Sequence, residues 1–128
     1  MQWSIHDDRP IYLQLMEQIS LAVMGGEYQP GERLPSVREL AASAGVNPNT
    51  MQRALLELEG MGLIRTQSTT GRFITDDAEA IGRIRSQLAE ARLLDFLTAM
   101  QRLGCSPEQI RAMVHQALAP GQPPQLTP

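Results

Sequence analysis

Ser36-Val37-Arg38-Glu39-Leu40-Ala41-Ala42-Ser43-Ala44-Gly45-Val46-Asn47-Pro48-Asn49-Thr50-Met51-Gln52-Arg53-Ala54-Leu55 is the stretch that decides the fold. Within this short span a helix starts, stops and a second one starts. Ser36 with Glu39 three positions on reads as a capping box, in which the serine caps the helix and the glutamate reaches back. Val37, Leu40 and Ala41 form the inner face of that helix. Gly45 is placed for a left-handed C-terminal stop. Only Val46 separates it from Asn47-Pro48, a new N-cap followed by proline at the first helical position, where a missing N–H costs nothing. The second helix is predicted from Pro48 to Glu59, with Met51, Ala54, Leu55 and Leu58 as one apolar stripe. Asn49, Thr50, Gln52 and Arg53 lie toward its start, largely off that stripe. Two short helices joined by so tight a glycine turn form a helix-turn-helix pattern.

Upstream, a helix is predicted from near Pro10, with Leu15, Ile19, Ala22 and Val23 at helical spacing and Tyr12 and Met16 beside them. Gly25-Gly26 ends it. Gln29-Pro30-Gly31-Glu32 has proline and glycine in the order of a type II turn, and Arg33-Leu34 leaves room only for a very short strand. Downstream, Gly60 and Gly62 close the second helix of the pair. Leu63–Gln67 and Arg72–Thr75 read as two strands around a hairpin tip, Ser68-Thr69-Thr70-Gly71. Helix, helix, helix, hairpin is the order of a winged helix. After the acidic step Asp76-Asp77, a long helix is predicted from about Ala78 to Leu103. Ile81, Ile84, Leu88 and Ala91 alternate three- and four-residue spacing. Leu93, Leu94, Phe96, Leu97, Ala99, Met100 and Leu103 then cover most of the circumference, and such a helix must be buried on several sides. Gly104 breaks it. Ser106-Pro107-Glu108-Gln109 caps a final amphipathic helix carrying Ile110, Met113, Val114, Ala117 and Leu118. The expected fold class is therefore mostly α with a small β-hairpin wing (α+β). Residues 1–75 would be a winged helix-turn-helix DNA-binding domain, 76–119 a two-helix dimerisation and effector unit, and 120–128 a disordered tail.

Composition narrows the function. Apolar residues make up 42% and charged residues 20% of the 128, the balance of an ordinary soluble protein. No apolar run reaches spanning length, the first residues do not resemble a signal peptide, and Cys105 is the lone cysteine; a cytoplasmic protein is expected. The net charge of −3 runs against the basic balance of many DNA-binding domains. The chain has arginine and no lysine, however, and the planar guanidinium fork suits phosphate and guanine better than lysine does. His6 and His115 have no ligand-spaced partners, so no metal is expected. No catalytic triad and no glycine-rich phosphate loop can be assembled, so neither an enzyme nor a cofactor is expected.

The ordered matches Pro10-Ile11-Tyr12-Leu13-Gln14, Gly26 with Pro30-Gly31-Glu32-Arg33-Leu34-Pro35-Ser36-Val37-Arg38-Glu39-Leu40-Ala41, Gly45-Val46-Asn47-Pro48-Asn49-Thr50, Arg53-Ala54-Leu55, Leu58-Glu59 and Gly62-Leu63-Ile64 through Gly71-Arg72-Phe73-Ile74 resemble the GntR family of bacterial regulators. The short YtrA-like subfamily is the most similar. The resemblance implies that Arg38 contacts DNA, that the helix from Pro48 is the recognition helix and that the hairpin is the wing. The chain departs from the family in two places. Pro48 stands where many members carry an arginine, and Thr69 stands where the wing often has the first of two glycines.

The residues themselves support the same site. An arginine in the first turn of a helix, like Arg38, opposes the helix dipole, which argues for a partner outside the fold. Asparagine and glutamine can read adenine bidentately in the major groove. Arg53 could touch phosphate or pack its stem beside the first helix. The predicted DNA-contacting set is Ser36, Arg38, Asn49, Thr50, Gln52 and Arg53, with Thr69, Thr70, Gly71 and Arg72 from the wing; Arg72 would supply charge at the minor-groove edge. The predicted dimerisation set is Ile84, Leu88, Ala91, Leu94, Phe96, Leu97, Met100, Leu103, Ile110, Met113 and Val114. The expected function is a transcriptional repressor that binds an inverted-repeat operator as a homodimer. The two-helix unit leaves little room for a deep pocket, so a small-molecule effector would sit between subunits. The alternative is a winged-helix module that binds protein, which would want an apolar or acidic wing and recognition helix; Asn49, Thr50, Gln52, Arg53 and Arg72 speak against it.

Overall fold

Ser36 and Gly45 delimit a helix as their chemistry requires. In the computed structural model, which describes residues 1–121, the chain runs α1 (Ile11–Met24), α2 (Val37–Ala44), α3 (Pro48–Gly60), β1 (Ile64–Gln67), β2 (Gly71–Ile74), α4 (Ala78–Arg102) and α5 (Pro107–Ala117). Pro10 caps α1 rather than opening it. Ser36 Oγ accepts from the Glu39 N–H at 3.1 Å. The reciprocal half of that predicted box does not form: the Glu39 carboxylate accepts from the Ser36 hydroxyl at 3.2 Å instead. Gly45 stops α2 at φ +70°, where a residue with a Cβ is disfavoured. Ser106 and Gln109 form both halves of their box at the start of α5.

The chain divides into two compact units, Met1–Ser86 and the residues from Gln87 onward. In the first, α3 packs against α1, α2 and β1. Leu15, Ile19, Leu40, Met51, Leu55, Leu58, Leu63, Ile64 and Ile74 form a core from which water is excluded; each such side chain contributes roughly 1.5–3 kcal/mol. The hairpin is antiparallel, with Ile64 opposite Ile74 and Gln67 opposite Gly71. The predicted very short strand lies along β2 as a bridge between Arg33 and Phe73. Gly31 N–H donates to Ile74 O at 2.9 Å and Leu34 N–H to Arg72 O at 2.9 Å. The turn before it is type II as expected, with Gly31 at φ +80° and Glu32 N–H donating to Gln29 O.

Residues 1–9 have a role that the sequence reading did not assign. Gln14 is fully buried in α1; its Oε1 accepts from His6 N–H at 2.8 Å and its Nε2 donates to the carbonyls of His6 at 2.6 Å and Arg9 at 2.9 Å. Gln18 makes a similar pair with the Ser4 backbone. Trp3 Nε1 donates to Ser43 Oγ at 2.9 Å, tying the segment to α2.

The division falls after Ser86, not after Thr75 as expected, because α4 begins inside the first unit. Asp77 Oδ1 accepts from the N–H groups of Glu79 and Ala80 and so caps the helix. Gly62, at φ +88°, turns the chain out of α3 beside the start of α4. Ala80, Ile81 and Ile84 are buried in the first unit. Ile84, expected in the dimer interface, is 1% exposed within the single chain and belongs to this core. Ile110 is likewise buried within one chain and is removed from the interface set. Other apolar residues of the second unit differ: Leu94 is 59% and Leu103 76% exposed, with Leu93, Phe96, Met113, Val114 and Leu118 also open to water, while Leu88, Leu97 and Met100 are half-buried. Of the expected tail, residues 122–128 lie outside the described residues.

Candidate nucleic-acid interface

Asn47 fixes the start of α3 by accepting from the Asn49 N–H at 2.7 Å, so its side chain is a cap, as its position suggested. That leaves Asn49 exposed and Thr50 half-buried on the first turn. Gln52 is half-buried and Arg53 exposed on the next. From α2, Arg38 projects into solvent with no ion pair or hydrogen bond among the described residues. Its charge therefore opposes the helix dipole without compensation. Ser36 Oγ is engaged in capping, which leaves its hydroxyl no free donor.

Arg53 meets α1 through its guanidinium. Its guanidinium carbon lies 3.6 Å from the centroid of the Tyr12 ring on α1. A stacked guanidinium uses its face and keeps its N–H edges available. The stack holds Arg53 against α1 while its donors stay open to a phosphate.

The wing departs more from expectation. The tip at residues 68–70 is exposed, but Thr70 Oγ1 donates to Gln67 O at 3.0 Å and is occupied in the turn. Gly71 has the positive φ that was expected, +109°. Arg72 does not reach outward. It is half-buried and its Nη2 donates to Gln52 Oε1 at 3.3 Å, while its Nε is buried without a partner. The cation beside the hairpin tip is Arg33 instead. Its Nε lies 3.2 Å from where a Cβ on Gly71 would sit, a tight contact at a position whose φ of +109° already favours glycine. The sequence held one signal for it: a strand through Arg33 paired with the second hairpin strand brings Arg33 opposite Phe73, two positions from Gly71.

Local charge differs from the global balance. The first turns of α3 and the hairpin contain Arg53, Arg65 and Arg72 and no acidic residue, while Glu57 and Glu59 lie toward the end of α3. Across residues 32–75, Arg33, Arg38, Arg53, Arg65 and Arg72 stand against Glu32, Glu39, Glu57 and Glu59, so the local balance is slightly positive where the whole chain is negative. No group of ligands able to hold a metal occurs among the described residues, and no described helix is long and apolar enough to cross a membrane.

Residues 11–74 match the model of the bacterial regulatory proteins of the gntR family. The chain is 37% identical over 110 residues to the HTH-type transcriptional regulator YhcF of Bacillus subtilis, covering 86% of this chain and 91% of that protein. It is 43% identical over 70 residues to the HTH-type transcriptional repressor YtrA of the same organism, covering 55% of this chain and 54% of YtrA. Among solved structures, a GntR family transcriptional regulator from Listeria monocytogenes superposes with a TM-score of 0.78 at 38% identity, over 88% of this chain and 98% of that one. The DNA-binding domain of AraR in complex with operator ORE1 superposes with a TM-score of 0.51 at 27% identity, over 59% of this chain and 94% of that one. A winged helix-turn-helix whose recognition helix opens on Asn49, Thr50, Gln52 and Arg53, a family model matched over residues 11–74 and a relative matched over 91% of its length place this chain in the gntR family of bacterial transcriptional regulators.

Proposed function

We propose that the protein is a homodimeric repressor that binds an inverted-repeat operator, with α3 in the major groove and the hairpin at the backbone beside it. The observation that carries this reading is the uncompensated cation Arg38 at the start of α2, beside an α3 whose first turns present Asn49, Gln52 and Arg53 and no acid. Phosphate contacts set orientation and affinity, and base-edge contacts set sequence preference. Arg33, Arg38 and Arg53, with Thr69 at the tip, fit the first role. Asn49, Thr50 and Gln52 fit the second. Gly71 lets the wing backbone come close.

The exposed apolar residues of the second unit support dimerisation. Leu94, Phe96, Leu103, Met113 and Val114, with the exposed Ala91 and the half-buried Leu88, Leu97 and Met100, are covered by a second copy through a two-fold axis. This pairing presents two recognition helices to two half-sites. A bound dimer obstructs transcription by occupying the operator, and a small-molecule effector acts at the junction between subunits.

Three phosphate-contacting arginines per protomer give six per dimer. Each displaces about 0.9 counterion, so log K should fall with log salt at a slope of roughly −5. Titration of the protein against fluorescent genomic fragments over a salt series measures this slope. A slope near zero, or no binding at low salt, would refute the proposal.

A further inference from the structure

The Arg72–Gln52 contact joins the wing to the recognition helix, and it constrains what Gln52 can read. Arginine has only donors, so the Gln52 atom facing Arg72 is the carbonyl oxygen, at 3.3 Å from Nη2. Arg72 is not a freely moving surface side chain: it is half-buried, sits opposite Thr66 in the hairpin and has its Nε enclosed. The Gln52 oxygen is thus held toward the wing. Its Nε2, which finds no acceptor among the described residues, is the group left for the groove.

A glutamine reads adenine by using both ends of its amide: the oxygen accepts from N6 and the nitrogen donates to N7. Arg72 takes one of the two lone pairs of that oxygen and draws it toward the wing, which leaves the nitrogen as the end that turns to the bases. Guanine offers the matching edge, two acceptors at N7 and O6 with no donor. We propose that Arg72 is a positioning residue that turns Gln52 into a reader of guanine instead of adenine. The inference rests on the operator-binding reading above.

The test is selection of bound duplexes from a random pool with four full-length proteins: the parent, Arg72→Met, Gln52→Ala and the double variant. Methionine keeps the apolar stem of Arg72 and removes its donors. The parent should enrich guanine at one position per half-site. Arg72→Met should move the guanine-to-adenine ratio at that position toward adenine by about fivefold or more, with the other positions unchanged. Gln52→Ala should erase the preference there, and the double variant should match Gln52→Ala. Guanine retained by Arg72→Met overturns the proposal. Guanine retained by Gln52→Ala also overturns it, since Arg72 would then read the base directly, and this arm stands even if Arg72→Met fails to fold. A parent that enriches no sequence overturns the operator-binding reading itself, whereas a parent with a clear site and an adenine at this position overturns only the role of Arg72.

Discussion

Replacing Gln14 with leucine should loosen the whole N-terminal segment from the helix pair that carries the DNA-facing residues. Gln14 is fully buried and makes three hydrogen bonds, to His6 N–H, His6 O and Arg9 O. Each contributes about 0.5–1.5 kcal/mol net. Leucine fills similar space but satisfies none of the three backbone groups. The segment must then either stay with orphaned polar groups or detach and hydrate them. Both routes lead to a loss of about 2–4 kcal/mol, a large share of the ~5–15 kcal/mol that holds a typical domain together. Detachment also breaks the bond from Trp3 to Ser43. Trp3 is the sole tryptophan, so its emission reports the event directly. Thermal melts of Gln14→Leu should show Tm lowered by roughly 6–15 °C, with Trp3 emission shifted to the red below the transition. Ser43→Ala, which removes one of these links, should cost only about 0.5–1.5 kcal/mol. An unchanged Tm together with unchanged Trp3 emission in Gln14→Leu would refute the reasoning, because it would mean that the buried amide holds nothing.

The two isoleucine and leucine positions on α4 should separate cleanly. Ile84→Ala opens a cavity in the core of the first unit and should cost about 2–5 kcal/mol, whereas Leu94→Glu, on an exposed surface, should leave the fold intact and shift the protein to monomer in sedimentation equilibrium; a Leu94→Glu dimer would show that this row is not the interface. Arg38→Ala should weaken binding to all duplexes alike and make the salt slope shallower by roughly 2 per dimer, and a change confined to one base position would reassign Arg38 to base reading. Gly71→Ala forces a Cβ into a backbone at φ +109° and should cost about 1–3 kcal/mol, with Gly71→Val costing more because β-branching narrows the allowed region further; equal denaturation midpoints for the two variants would contradict a strained glycine.

The helix order, the caps and the hairpin were legible because they depend on local signals. Ser36, Gly45, Asn47-Pro48 and Ser106-Pro107 each act within a few residues of themselves, and the structure places a helix end at every one. What could not be read depended on contacts distant in sequence. The burial of Gln14 needs residues 6–9 to fold back over α1, and nothing in the pattern of a polar residue on a helix announces that. Ile84 continues the same periodic stripe as Leu88 and Ala91, so spacing alone could not show that the stripe changes partner partway along one helix. Arg33 takes the place expected of Arg72 for a similar reason. Only Arg72 was visible beside the hairpin tip; Arg33 lay in a very short upstream strand, and whether a side chain turns toward the tip or back to Gln52 is set by the packing of three segments together.

Enrichment of duplexes from a random pool by the parent protein tests the central claim most directly. A dimer with one recognition helix per protomer should select an inverted repeat whose half-site centres lie about one turn, roughly 34–36 Å, apart. Cutting the chain after Ser86 should abolish selection for the paired half-sites. Enrichment of a single unrepeated site by the parent, or no enrichment at all, would contradict the account.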